Sequence, residues 1–96
     1  MATKIIWSDH ARHDLDTIFL SLLDFSESYA QEWIKKVFSN LELLETFPEM
    51  GRMVPEKEVR FLREVIVWKY RVLYTYLNQE ITVIRIVHSS RPLGKI

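Results

Sequence analysis

Two apolar stripes at helical spacing follow each other with almost no chain between them, and this limits the fold more than any other feature of the sequence. Ala11, Leu15, Ile18, Phe19, Leu22 and Leu23 make the first stripe; Ala30, Trp33, Ile34, Val37, Phe38, Leu41 and Leu44 make the second. Ser8 before Asp9 and Ser26 before Glu27 are start signals, each pairing a hydroxyl that accepts from a first-turn amide with a carboxylate at the positive end of the helix dipole. They predict helices over about 9–24 and 27–46, the second ended by Pro48, which drives the residue before it out of helical geometry. A link of two or three residues favours an antiparallel helical hairpin. Each helix is apolar on one stripe only, so the pair needs another layer to cover it.

The second half of the chain supplies that layer. Val59–Val67, Tyr70–Leu77 and Ile81–Val87 are dense in β-branched and aromatic residues, and the spacers Trp68-Lys69 and Asn78-Gln79 have hairpin length. Thr3–Trp7 is a further short strand, and residues 48–58, with Pro48, Gly51 and Pro55, read as a loop in which Gly51 supplies a backbone angle that other residues resist. The expected class is α+β, an N-terminal strand and helical hairpin packed on one face of a small antiparallel sheet. Alternation sets Arg71 with Leu73 and Thr75 on one face, Arg85 with Val83 and Val87, and His88 with Ile84 and Ile86. It also aligns Tyr70, Tyr74 and Tyr76, for which packing beneath the helices is a simpler account than stacking on nucleic-acid bases.

Composition narrows the function classes. Ninety-six residues have room for one domain, 1–96, and 48% apolar with 27% charged residues suits a globular one. Without cysteine there is no disulfide, thiolate metal site or cysteine nucleophile, which fits a reducing cytoplasm. No apolar run approaches the roughly 20 residues that span a bilayer, so neither membrane insertion nor secretion is expected. His10 and His13, with Asp9 and Asp14 nearby, are explained by an exposed helix start rather than a metal site; no metal or other cofactor is expected. Net charge is zero, but residues 51–96 carry nine Lys/Arg against four Asp/Glu and the first fifty residues the reverse imbalance. That split fits either a basic functional face or a basic sheet beside acidic helices.

Four motifs, in order, resemble the ParE/RelE superfamily of bacterial type II toxins. Ser8, Ala11, Asp14, Leu15 and Ile18 are similar to its opening S-x-x-A-x-x-D-L-x-x-I, and Leu44, Pro48, Gly51 and Pro55 to its L-x-x-x-P-x-x-G-x-x-x-P turn. Arg63-Glu64 and Tyr70-Arg71-Val72-Leu73-Tyr74 resemble the R-E and Y-R-I-x-Y of its strands; Ile84 to His88 with Arg91 resembles its I-x-x-V-x-H-x-x-R ending. Each motif alone is common, but four in order are fairly specific.

The resemblance implies a RelE/ParE-like fold, a cognate antitoxin that forms a hetero-oligomer with the toxin, and one of two activities. ParE-like members inhibit DNA gyrase by binding; RelE-like members cut messenger RNA on the ribosome. A cutter needs a base and cationic stabilisation of the phosphate, and the catalytic candidates for that reading are Arg71, Arg85, His88 and Arg91. Against it, no tyrosine follows Tyr76 and the pI is near 6.8, whereas ribosomal RNA binding calls for strong positive charge. The alternative for Arg71 and Arg85 is pairing with carboxylates such as Asp14 or Glu64. The ParE-like reading is therefore favoured. A toxin homologue that only binds its partner is the third possibility.

Overall fold

Ser8 turns the chain from a strand into a helix. In the computed structural model, which describes residues 3–91 and 93, it follows β1 (Lys4–Trp7) and caps α1 (Asp9–Phe25), its Oγ accepting from the Ala11 N–H at 3.0 Å. Ser26 serves two helices at once. Its own N–H donates to the Leu22 carbonyl at 2.8 Å, closing α1, and its Oγ accepts from the Tyr29 N–H at 3.2 Å, opening α2 (Glu27–Thr46). The link is thus one residue, shorter than expected, and the two helices pack against each other.

Four further strands, β2 (Arg52–Met53), β3 (Leu62–Val67), β4 (Tyr70–Leu77) and β5 (Glu80–His88), complete a sheet of order β1-β5-β4-β3-β2. The meander β3–β4–β5 is antiparallel through the two expected two-residue turns. Asn78 and Gln79 both have positive φ, 52° and 59°, as a type I′ turn requires. Trp68 also sits at φ 56°, which a bulky residue seldom adopts.

Three sequence expectations are corrected. β1 joins β5 in parallel, with Ile5 opposite Ile81, so the sheet is mostly rather than wholly antiparallel; the helical hairpin is the crossover that a parallel pair needs. The segment 48–58 contains β2, whose two exposed residues are too few to show alternation. β3 begins at Leu62 rather than Val59, because the Leu62 N–H donates to the Val59 carbonyl in a turn.

Alternation gives the sheet two apolar faces. Val65, Val67, Val72, Tyr74, Ile81, Val83 and Ile86 pack under Trp33, Val37, Leu41 and Leu44 of α2, with Tyr70 and Tyr76 at the margins, so the tyrosines are core residues as expected. Leu62, Leu73 and Val87 face the other way and are covered by Val54 and Leu93. Between these sets β5 is irregular: Leu73 pairs with Arg85 and Tyr74 with Val83, leaving Ile84 as an extra residue. This bulge breaks the alternation read from sequence and puts Val83 and Val87 on opposite faces.

No helix among the described residues is long and apolar enough to cross a membrane.

Gly51 is needed for space, not for the backbone angle expected of it. A Cβ there would lie 2.5 Å from the Tyr74 hydroxyl oxygen and 2.7 Å from the Glu64 carbonyl oxygen. That hydroxyl accepts from the Gly51 N–H at 3.1 Å and donates to the Pro48 carbonyl at 2.8 Å, pinning the end of the helical hairpin to the sheet. Gly51→Ala is expected to lower the unfolding free energy by about 1–3 kcal/mol, the usual cost of overpacking, in urea titrations. An unchanged midpoint would contradict the tight approach.

Candidate functional site

Arg71 lies on the sheet face turned away from the helices, only 4% exposed, where a lone cation would be costly. Hydrogen bonds to two carboxylates hold it. Its Nε donates to Glu64 Oε1 at 2.6 Å, and Nη1 and Nη2 donate to the two oxygens of Glu56 at 2.7 and 2.8 Å. Glu64 is itself buried on β3 and pairs through its other oxygen with Arg52 of β2. The chain of four charges thus ties the 52–56 segment to the middle of the sheet. Hydrogen bonds from Arg71, set against partial desolvation, hold the Glu56 carboxyl down at about 2, and the same bonds raise the already high pKa of Arg71.

Arg85 is neutralised separately. Its Nε donates to Asp14 Oδ2 at 2.7 Å, and the same oxygen accepts the Ile86 backbone N–H at 2.9 Å. Asp14 therefore caps an amide of β5 that lies beyond the end of β1, besides pairing with the guanidinium. Ser8 Oγ does the matching work one step earlier, donating to the Ile84 carbonyl at 3.0 Å. Arg85 then lines a cleft of about 320 Å³ between α1 and the end of β5, with His13, Thr17, Tyr70, His88 and Arg91.

Of the four sequence candidates, Arg85, His88 and Arg91 therefore share one cleft, and Arg71 stands apart in the ion-pair network. Regular alternation sets Arg85 and His88 on opposite faces of β5; they line the same cleft because the Arg85 guanidinium reaches α1. Both arginines have carboxylate partners, as the alternative reading held. Tyr70 as a wall of the cleft, and Glu56 and Arg52 as partners of the network, were missed. Only the Arg63-Glu64 motif hinted at the network, since residues 52–56 show no periodicity.

A second concavity, about 720 Å³, runs between β1 and α2 along Ile5, Trp7, Ile34, Phe38 and Leu41, with the rings of Trp7 and Phe38 5.9 Å apart. β1 is the outer strand of the sheet.

The same fold recurs in solved toxin–antitoxin systems. A chain from the chromosomal ParDE TA system from P. aeruginosa superposes with a TM-score of 0.74 at 20% identity, over 91% of this chain and 96% of that one. One from the toxin-antitoxin complex RelBE2 from Mycobacterium tuberculosis gives 0.62 at 16%, over 92% and 99%. No curated protein matches the sequence significantly. The fold is that of RelE/ParE-type toxins. The family model of the ParE toxin of type II toxin-antitoxin systems (parDE) matches residues 5–93, and the chain belongs to that family.

Two measurements test the network. Arg71→Ala leaves the buried Glu64 with Arg52 as its remaining partner, strips Glu56 of both its hydrogen bonds from the sheet, and is expected to cost about 3–5 kcal/mol in denaturant unfolding. Because the Glu56 carboxyl is depressed on folding, its stabilising contribution is complete above about 4.5 and fades as pH falls toward about 2. Glu56→Gln should therefore flatten melting temperature against pH in that window; an identical acid profile would remove the pairing.

Proposed function

We propose that the chain is a ParE-like toxin that inhibits DNA gyrase by binding it, performs no bond chemistry of its own, and is silenced in the cytoplasm by a cognate antitoxin. One observation carries the choice: Arg71 and Arg85, the cations an RNA-cutting site would rely on, are both committed to carboxylates. Stabilising a developing phosphorane takes a cation free to meet it, and of the three arginine candidates only Arg91, beyond the end of β5, has no carboxylate partner among the described residues. The basic second half follows the same pattern. Arg52, Arg63, Arg71 and Arg85, four of its nine basic residues, all face acidic partners, so much of that charge is balanced within the fold.

The rival is ribosome-dependent messenger RNA cleavage. Its support is the grouping of Arg85, His88 and Arg91 around one cleft. Purified toxin assayed for gyrase supercoiling, beside a translation extract in which message cleavage is followed by primer extension, separates the two. Lost supercoiling with intact message is expected; cut message with normal supercoiling would sink the gyrase reading. Expression without any growth effect would leave only a binding role.

The antitoxin's place is the apolar groove beside β1, where an amphipathic helix would cover Trp7 and Phe38 and an extended segment would add to the sheet edge. Phe38 is about half exposed. Phe38→Glu should weaken antitoxin binding by tenfold or more, on the order of 1.4 kcal/mol, with the melting temperature of free toxin kept. Unchanged affinity in calorimetric titration would move the docking site elsewhere.

A further inference from the structure

We propose that the cleft between α1 and the end of β5 binds a phosphate group. This does not depend on whether the target is gyrase or the ribosome, and it requires no cleavage. The cleft is walled by His13 and Thr17 from α1, Tyr70 from β4, Arg85 and His88 from β5, and Arg91 just beyond. Its one carboxylate, Asp14, is largely buried and already accepts from the Arg85 Nε and the Ile86 N–H. Of the other polar residues in the wall, the Arg85 and Arg91 guanidinia only donate, and His13, Thr17, Tyr70 and His88 can donate.

His88 makes the polarity definite. The Ser90 backbone N–H donates to His88 Nδ1 at 3.2 Å, and the Ser90 hydroxyl lies 2.7 Å from the same atom. A backbone amide only donates, so Nδ1 is the acceptor and the proton of the neutral ring sits on Nε2. The ring is further held edge-on against Tyr70, with centroids 5.4 Å apart. An imidazole fixed in this way offers an incoming group a donor and no lone pair, which suits an anion and not a cation. The Tyr70 hydroxyl, protonated at neutral pH like any tyrosine, can donate as well.

Arg91 completes the case. Arg52, Arg63, Arg71 and Arg85 are in ion pairs, whereas no carboxylate among the described residues pairs with Arg91. Donors come from four separate segments around a space of about 320 Å³, an arrangement that fits a tetrahedral oxyanion better than a flat carboxylate. Both a free nucleotide and the backbone of a nucleic acid carry that chemistry.

The test is titration of the isotope-labelled full chain, followed by amide NMR shifts, with adenosine monophosphate, with a twelve-residue oligothymidylate, and with acetate at matched ionic strength. Shifts confined to His13, Thr17 and His88–Arg91 with the first two probes, and not with acetate, are expected. Response to the monophosphate alone assigns the site to a free nucleotide; response to the oligonucleotide alone assigns it to a backbone. Arg91→Ala should weaken binding at least about fivefold and, for the oligonucleotide, reduce the salt slope by about 0.7, the share of one neutralised phosphate on a single strand. Lys36→Ala, exposed on α2, should change neither. No cleft shifts with either phosphate probe, equal shifts with acetate, or equal losses from both substitutions at unchanged melting temperature would overturn the proposal.

Discussion

Everything in this fold depends on how the outer edge of β5 is closed. β1 covers it only from Glu80 to Val83, after which the chain turns into α1. The next outward groups, the Ile84 carbonyl and the Ile86 amide, would be stranded against the helix without partners, at a cost comparable to a broken hydrogen bond each. Ser8 and Asp14 meet them, one from the cap and one from the second turn of α1. Because one partner is the cap of α1 and the other sits in its second turn, closing the edge also fixes where α1 lies, and so sets the width of the cleft beside it. The Asp14 oxygen that accepts the Ile86 amide also accepts from Arg85, and an edge repair becomes the means by which that guanidinium is balanced.

The buried charges on the opposite face solve a different problem. The 52–56 segment is too short and too polar to be held by apolar packing alone; Val54 is its one buried hydrophobic anchor. Arg71 and Glu64 reach it from the sheet and give it fixed positions. Such a chain of charges offsets its own desolvation rather than adding much net stability, but it is unforgiving of the removal of any buried member. Its effect on function is subtractive, since it withdraws from solvent the arginine that sequence alone would place at the head of a catalytic list.

Much of this was legible in the sequence, and the failures have definite causes. Ser8, Ser26 and Pro48 fixed both helices because cap and stop signals act within a few residues. The two β-hairpins followed from spacer length, although nothing in Trp68 announces a left-handed backbone. Strand direction at β1 was not legible, because pairing over more than seventy positions leaves no local trace. The bulge at Ile84 was equally silent, as Val83-Ile84-Arg85-Ile86 reads like regular alternation. At the candidate site, Asp14 was one of the two carboxylates weighed as partners for the strand arginines, and it pairs with Arg85. The pairing with Glu56 was invisible, because loop carboxylates are common and only the folded path brings this one to Arg71.

The parallel pairing of β1 has a consequence for the order in which the chain can assemble. The hydrogen bond from Ser8 to Ile84 spans 76 positions, and that from Arg85 to Asp14 spans 71, whereas each hairpin of the meander closes over two residues. During synthesis the first strand has no neighbour to pair with until the last one has left the ribosome. Loop-closure entropy further favours forming the local elements before this seam. The cleft, which needs α1 against β5, therefore comes into being with the final closure and not before.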